Sequence, residues 1–455
     1  MVTSSCRFIC LLLGSLFLLS SCAPLQDRDL NTDPALLSDS FDEDLQAYQE
    51  SLIDEETTGS NFLMVVRDGQ EIYRSTTNSG RSGDRDITDK TLFPIWSMSK
   101  PITIVAMHLL HEQGLFQWKD PVSQYIPCFE NLTVAEGETV RAAKTPLLIE
   151  HLMNHRAGYG YYTPWPGMPP MGTTNPPSYH HPHTTQTRFD NLQQFCEAAA
   201  ESPLAFDPGT SFLYGINQAI LGRLVEVLTG KSFAESLQEL IFTPLEMNRT
   251  GFVLEESQLD LFQPLFINSG DLFGYTNLLN ELTYSPKGQA HFGGEGLISC
   301  PEDYSRFCEM LAGGGMFRGQ RFLSEESLQK MTTTSTVAAF GDVTPAYDMA
   351  DSVFVLNNPQ LEGSLAPVGC FGWSGYHNTH FWIDPANQLY GLFFTRAREY
   401  NFELPIDIRK ALPTTAAAVA PPRCLCRRPP PQRPGRPGPR VAGSGWAAAA
   451  VRGRW

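Results

Sequence analysis

Basic residues and long hydrophobic runs are both scarce in this sequence of 455 residues. The chain has 33 Lys and Arg against 49 Asp and Glu, which gives a net charge of −16. An acidic surface repels phosphate backbones, so the composition argues against nucleic-acid binding. The apolar stretch at 8–19 has twelve residues, whereas a membrane-spanning helix needs about twenty. We therefore expect a globular protein without a nucleic-acid partner.

Paired cysteines are also missing from the body of the chain. Its five cysteines are odd in number and far apart, and no Cys-x-x-Cys pair occurs among them. This pattern predicts neither a zinc cluster nor a disulfide framework, and it favours small buried side chains. The five are Cys128, Cys196, Cys300, Cys308 and Cys370. His180, His181 and His183 have no acid or Cys nearby, so they are more typical of a loop than of a metal site.

The first 22 residues are typical of a secretory signal and not of a folded domain. Arg7 precedes the apolar stretch, which ends at Leu19-Ser20-Ser21-Cys22. Small residues just before a Cys resemble the bacterial lipobox, in which the Cys receives a diacylglycerol and becomes the mature N-terminus. The resemblance implies a lipid on Cys22, and Ala23 implies an outer-membrane lipoprotein that faces the periplasm. The alternative is a plain secretory signal with a chance Cys.

Two segments differ in composition from the body between them. Residues 23–40 are acidic and contain two prolines, which predicts a tether with little to bury. Residues 413–455 contain eight Arg, nine Pro and no acidic residue, a composition typical of a disordered low-complexity tail. Translation out of frame is the alternative origin of this tail. Residues 41–412 are left as the folded domain.

Strand patterns lie at both ends of this domain, and helical patterns lie between them. Residues 62–66 are apolar and β-prone, and Asp68-Gly69 marks a hairpin turn after them. Residues 380–383 and 389–395 read as two further strands. The domain is therefore predicted to be α/β, of the α+β type. We expect an antiparallel sheet of N- and C-terminal strands, flanked by helices, with an inserted mainly helical region.

The rest of the domain contains several segments with the sequence pattern of a helix. Apolar residues at helical spacing place one helix at 41–53 and others that stop at Gly114 and Gly230. Ser299 reads as the N-cap of a further helix. Residues 159–186, rich in Tyr, Pro, Gly and His, are predicted to form a long loop over a site.

Ser97 and Lys100 are three residues apart, so on a helix they share one face. Pro101 fits only near a helix start, which places Ser97 in the first turn, where backbone N–H groups are unpaired. A Ser hydroxyl there can be a nucleophile, and a partly desolvated Lys can take its proton. Because Ser-x-x-Lys occurs by chance in many chains, this motif alone is weak.

Two further motifs strengthen the prediction of a catalytic site at Ser97 and Lys100. Tyr214 precedes an amphipathic helix, where its hydroxyl could share a proton with Lys100, although a packed Tyr is the simpler interpretation in isolation. The segment 371–376, Phe-Gly-Trp-Ser-Gly-Tyr, has small residues that let the backbone approach a bound acyl group.

The order of these motifs resembles the serine β-lactamase-like superfamily, which includes class C β-lactamases, DD-peptidases and family VIII carboxylesterases. The resemblance covers roughly residues 41–412. Further matching segments are 93–103, 120–123, 155–158, 244–247, 293–297 and 371–373.

The resemblance implies catalytic roles residue by residue. Ser97 would be the nucleophile, Lys100 the base, and Tyr214 the second proton-transfer group. The backbone N–H groups of Ser97 and Tyr376 would form the oxyanion hole.

Trp373, Ser374 and Gly375 would contact the substrate, at the position where β-lactamases and DD-peptidases carry Lys-Thr-Gly or His-Thr-Gly. Trp373 brings no cation to a substrate carboxylate, which weakens the penicillin interpretation. Ile216 breaks the Tyr-x-Asn motif of class C enzymes. Ser374 resembles part of a nucleophile elbow, but Tyr376 replaces the final Gly, so Ser374 is predicted to be structural or substrate-contacting. His377 and His380 receive no role.

The sequence thus predicts a lipid-anchored serine hydrolase of the bacterial cell envelope that acts on carboxylic esters through an acyl-enzyme. A small-molecule ester or amide is the expected substrate, and no cofactor or metal is required. Two alternatives stay open: β-lactamase or DD-peptidase activity, and a non-catalytic envelope binding protein on the same scaffold.

Overall fold

The computed structural model describes residues 34–137, 139–161, 189–271, 273–277, 290–337, 339, 341 and 344–412. Several predictions from the sequence therefore fall outside the described residues. They are the signal peptide 1–22 with the lipidation site Cys22, the first part of the tether, residues 162–186 of the predicted loop 159–186 with His180, His181 and His183, and the tail 413–455.

The described residues form fifteen strands and ten α-helices. The strands are β1 (Asn61–Arg67), β2 (Gln70–Thr77), β3 (Phe93–Pro94), β4 (Thr133–Glu136), β5 (Thr139–Ala142), β6 (Leu265–Ile267), β7 (Gly274–Thr276), β8 (Ile298–Ser299), β9 (Met316–Phe317), β10 (Gln320–Arg321), β11 (Tyr347–Met349), β12 (Phe354–Leu356), β13 (Phe371–Ser374), β14 (His380–Asp384) and β15 (Leu389–Thr395). The helices are α1 (Pro34–Asp54), α2 (Ser99–Glu112), α3 (Ile149–Met153), α4 (Leu192–Glu201), α5 (Asn217–Thr229), α6 (Phe233–Leu237), α7 (Pro301–Ala312), α8 (Glu325–Thr332), α9 (Pro359–Glu362) and α10 (Leu404–Ala411).

Seven strands form one antiparallel sheet in the order β11-β12-β13-β14-β15-β1-β2. The first and last strands of the domain are neighbours in this sheet, where β1 pairs with β15 in the register Asn61↔Thr395. The predicted fold class, an antiparallel sheet of N- and C-terminal strands with helices around it, is confirmed. The predicted hairpin turn is also confirmed, since Asp68 and Gly69 adopt positive φ between β1 and β2.

Strand β1 shows why the sheet is covered on both faces. Successive side chains of a strand point to opposite faces, and nearly every residue of β1 is buried. Phe62 and Met64 belong to the larger core, which includes α2 and α5. Leu63 and Val65 belong to a second core with residues of α1 and α10, such as Leu45. The sheet therefore lies between a large helical layer and a thin layer made by the first and last helices.

Helix boundaries agree with some predictions and differ from others. Helix α5 ends before Gly230, whose φ of 71° is the left-handed conformation expected of a C-terminal glycine. Helix α1 contains the predicted helix 41–53 but begins at Pro34, inside the segment predicted as a tether. Proline is tolerated at a helix start, so it does not prevent this extension. The N-cap of α7 is Cys300, so the prediction of Ser299 was wrong; the Ser299 hydroxyl instead contacts that of Thr250 at 2.7 Å.

The cysteines of the described residues are free thiols, and four of the five are buried. In the described part of the chain, no helix combines the length and the hydrophobicity needed to cross a membrane.

Candidate active site

The candidate nucleophile lies in a 3₁₀ turn, Trp96–Met98, directly before α2. Trp96 has a φ of 48°, a left-handed conformation that costs free energy for a bulky residue. Its indole Nε1–H donates to His377 Nδ1 at 2.9 Å, and its ring packs edge-on against that of Tyr376. These contacts hold the strained turn, and they give His377 a structural role beside Ser97.

Ser97, Lys100 and Tyr214 meet at one point, as the sequence predicts. Lys100 Nζ lies 3.1 Å from Ser97 Oγ, one helical turn along the chain. The Tyr214 hydroxyl donates to the same Ser97 Oγ at 2.8 Å, across 117 residues of sequence. The serine oxygen is thus flanked by an amine and a phenol, an arrangement that can move a proton on and off the oxygen.

Burial changes the proton affinity of both flanking groups. Lys100 is fully buried, and burial lowers its pKa from 10.5 to about 8, although the charge of Glu295 partly opposes this shift. Burial raises the pKa of Tyr214 above its ordinary value. A fraction of Lys100 is therefore neutral near neutral pH, and this fraction grows as the pH rises through about 8, while Tyr214 keeps its proton.

Tyr214 is positioned by the residues that follow it. The Gly215 N–H and the Asn217 amide both donate to Nδ1 of the buried His155, at 3.3 and 2.8 Å. The His155 ring lies 4.7 Å from that of Tyr214, and burial together with Lys100 holds the pKa of His155 well below its ordinary value. Gly215 has no room for a side chain, because a Cβ there would overlap the Tyr159 carbonyl.

Two members of the site were missed from the sequence. Lys100 Nζ donates to the Tyr161 hydroxyl at 2.9 Å and to the Gly294 carbonyl at 2.7 Å. The Tyr161 hydroxyl in turn donates to Glu295 Oε2 at 2.9 Å. Glu295 lies in the family motif 293–297, and Tyr161 lies in the segment predicted as a loop over the site. The sequence signal that could have identified Glu295 is an acidic residue inside a glycine-rich motif.

The end of β13 lies against the nucleophile turn. A Cβ at Gly375 would overlap the carbonyl oxygen of Ile95, two residues before Ser97. The absence of a side chain at Gly375 therefore lets this strand approach the turn. Tyr376, the next residue, is 46% exposed, and its ring contacts that of Trp96 at a centroid distance of 5.5 Å. This places the backbone of Tyr376 beside the nucleophile turn, where the oxyanion hole is expected.

Trp373 forms an aromatic wall next to these groups. Its buried ring lies 5.7 Å from that of Tyr214 and 4.3 Å from that of Phe354. An uncharged acyl group can pack against such a surface.

Ser374 is held by a different set of partners. Arg409 lies 2.8 Å from His380 Nε2, and a guanidinium can only donate, so the ring proton of His380 is on Nδ1. Nδ1 lies 2.9 Å from Ser374 Oγ and 3.0 Å from the Trp373 carbonyl. A protonated Nδ1 cannot remove the hydroxyl proton of Ser374. The geometry therefore argues against Ser374 as a nucleophile.

A comparison with family models identifies the chain. The family model described as Beta-lactamase matches residues 45–416, most of the sequence. This chain belongs to the β-lactamase family. The motifs that the sequence analysis related to this superfamily lie inside the matched range, and the family comprises serine hydrolases and acyltransferases.

Individual relatives of this β-lactamase family member are distant in sequence. Esterase EstB of Burkholderia gladioli is 24% identical over 403 residues, which cover 85% of this chain and 97% of EstB. The structure of EstCE1, a hydrolase with promiscuous acyltransferase activity, superposes with a TM-score of 0.68 at 20% identity and covers 83% of this chain and 99% of EstCE1. Simvastatin synthase from Aspergillus terreus, as the LovD6 mutant, gives a TM-score of 0.66 at 18% identity, with 84% and 97% covered. At these identities the solved structures establish the fold alone.

Proposed function

We propose that this protein is a carboxylesterase that works through an acyl-enzyme on Ser97. The observation that carries the proposal is the convergence of Lys100 Nζ and the Tyr214 hydroxyl on Ser97 Oγ, at 3.1 and 2.8 Å. A nucleophile with a base and an acid in reach can attack an acyl carbon and then release the leaving group.

The proton moves through the three side chains in a closed sequence. Neutral Lys100 takes the hydroxyl proton as Ser97 Oγ attacks the ester carbonyl, and the N–H groups of Ser97 and Tyr376 receive the oxyanion. Tyr214 gives its proton to the departing alcohol and regains one from Lys100. Water then attacks the acyl-enzyme by the same steps in reverse, which returns free Ser97 and a carboxylic acid.

An ester fits the site better than a β-lactam. Trp373 stands where penicillin-recognising relatives carry a cation, and its ring joins those of Tyr214 and Phe354 in an aromatic wall. Such a wall favours an uncharged acyl group over a substrate carboxylate. The similarity to Esterase EstB along almost its whole length supports the same choice.

The test uses the purified full-length protein with p-nitrophenyl esters of graded acyl length, a fluorophosphonate probe and nitrocefin. We expect one equivalent of probe on Ser97, a burst of p-nitrophenol, and ester turnover far above nitrocefin turnover. Ser97→Ala should abolish labelling, whereas the matched variant Ser374→Ala should keep the label on Ser97.

Two results would favour the alternatives. Nitrocefin turnover comparable to ester turnover would indicate a β-lactamase or DD-peptidase. A wild-type protein that neither reacts with the probe nor cleaves esters, together with a full cellular phenotype in Ser97→Ala, would indicate a non-catalytic binding protein.

A further inference from the structure

Glu295 is a buried carboxyl group that the proton movements above do not use. Glu295 is only 6% exposed. An isolated buried carboxylate is costly, so such groups are normally paired or hydrogen-bonded. Here the Tyr161 hydroxyl donates to Glu295 Oε2 at 2.9 Å. The partner of that hydroxyl on its other side is Lys100.

The hydrogen bonds run in one direction from the amine to the carboxylate. Lys100 Nζ donates to Tyr161 Oη at 2.9 Å, and Tyr161 Oη donates to Glu295 Oε2 at 2.9 Å. These two links place Nζ and Oε2 within about 6 Å of each other, a separation at which opposite charges shift each other's protonation. Tyr161 is thus a polar bridge between a cation and an anion.

The loop that carries Glu295 is built around Lys100. Thr103, one turn after Lys100 in α2, donates to the Gly293 carbonyl at 2.7 Å. Lys100 itself donates to the Gly294 carbonyl at 2.7 Å. A Cβ at Gly293 would lie 2.6 Å from the Thr103 hydroxyl oxygen, so the absence of a side chain there allows the loop to approach α2 this closely.

The three hydrogens of a protonated Lys100 have three acceptors in this arrangement. They are Ser97 Oγ, Tyr161 Oη and the Gly294 carbonyl. The site is therefore shaped to hold the ammonium that forms when Lys100 takes a proton.

We propose that Tyr161 and Glu295 form a counter-charge relay that stabilises protonated Lys100 as it receives the proton of Ser97. The inference rests on the proposed function and adds two positioning residues to it. The only proton that moves is the one from Ser97 Oγ to Lys100 Nζ. Burial raises the pKa of Glu295, and the charge of Lys100 and the hydrogen bond from Tyr161 oppose this shift. In the proposal Glu295 stays a carboxylate, and Tyr161 links it to the amine through the two hydrogen bonds.

Other polar groups around Lys100 do not supply this charge. Ser97 and Tyr214 face it from the nucleophile turn and from the loop before α5, and both are uncharged before reaction. His155 faces it from beyond α3, and burial together with Lys100 holds its pKa well below the ordinary value, so it is neutral. The charge of Glu295, in contrast, raises the pKa of Lys100 against the larger effect of burial.

The experiment measures the rate of fluorophosphonate acylation of the full-length protein as a function of pH. Because Lys100 must be neutral to act, the wild-type rate should rise with pH to a plateau, with a midpoint of about 8. Glu295→Gln removes the opposing charge, so we expect its midpoint to fall by about one pH unit or more. Its plateau should fall roughly three- to tenfold, because a less basic amine is a weaker general base.

Two further variants keep the test decisive. Tyr161→Phe removes the bridge, so its midpoint should also fall, and its effect combined with Glu295→Gln should be less than additive. If Glu295→Gln does not fold, Tyr161→Phe alone carries the test. The matched control is Asp303→Asn, which changes another buried carboxyl that binds the Arg249 N–H and Thr250. It should leave the pH midpoint unchanged.

The outcomes separate this inference from the proposed function. A wild-type protein that is not labelled overturns both. A wild-type protein that is labelled, with folded Glu295→Gln and Tyr161→Phe variants that keep its pH midpoint, overturns the relay and leaves the esterase intact.

Discussion

At the scale of single residues, the environment of Ser97 separates the roles of its two neighbours. Burial makes Lys100 easier to deprotonate and Tyr214 harder to deprotonate. When two titratable groups share a site and their pKa values are pushed apart, their acid and base assignments follow. We therefore predict that Lys100 is the group that receives a proton and that Tyr214 is the group that donates one.

Replacing Tyr214 with Phe tests this division of roles. The ring stays and the hydroxyl that donates to Ser97 is lost, so kcat/KM for esters should fall by about 10²- to 10⁴-fold. The free energy of unfolding should change little. Steady-state kinetics with p-nitrophenyl esters measure the first effect and denaturant titration measures the second. The control is Tyr275→Phe, which removes another hydroxyl, one that contacts Ser60 N and Ser79. Equal activity losses in both variants would contradict the assignment.

Sequence reasoning reached only part of the site, for a physical reason. Ser97 and Lys100 are three residues apart, so helical geometry alone brings them together. Tyr214 is 117 residues from Ser97 in sequence and was placed through the family resemblance. Tyr161 and Glu295 reach Lys100 only through tertiary packing, and a single Tyr or Glu carries no periodic signal. In the structure, residues 293–295 lie against α2, and this packing brings Glu295 close to Lys100.

At the scale of elements, the C-terminal helix α10 is tied to the short helix α9 by a buried ion pair. Arg409 and Glu362 are both buried, and the guanidinium donates to the carboxylate at 2.8 and 2.5 Å. The same guanidinium donates to His380, which contacts Ser374 at the end of β13. The helix thus helps to fix the substrate side of the site.

Breaking this pair should destabilise the fold. Arg409→Met leaves the Glu362 carboxylate buried without its cation, which should cost about 3–5 kcal/mol of unfolding free energy. The control is Lys231→Met, which breaks an ion pair between half-exposed side chains and should cost less than about 1 kcal/mol. Both values come from denaturant unfolding. Similar losses in the two variants would show that the pair does not anchor α10.

Long elements were predictable from the sequence, and short ones were not. Strands β14 and β15 and helices α2 and α5 carry clear periodicity and were found close to their observed positions. Strands β3 and β8, which pair with each other, have only two residues each. Two residues cannot show a period, so nothing in the sequence marks them.

At the scale of the whole molecule, the sheet joins the two ends of the folded domain. β1 and β15 are over 300 residues apart in sequence and pair as neighbouring inner strands of the sheet. Strand patterns at both ends predicted this closure, because a single sheet must bring them together. The strand order could not be predicted, because many pairings satisfy the same alternation of buried and exposed residues.

The attachment of the whole molecule to a membrane depends on Cys22, whose lipidation stays a prediction. Two or three acyl chains on one residue would anchor the protein stably, whereas a single chain binds only marginally. After expression in a Gram-negative host with labelled palmitate, we expect the wild-type protein to carry the label and to sediment with outer membranes. Cys22→Ala should lose both properties. Cys128→Ser, which changes a partly exposed free thiol, should keep both. A labelled Cys22→Ala variant would exclude this anchor. An unlabelled, freely soluble wild-type protein would indicate a plain secretory signal, because the chain then carries no acyl group to hold it.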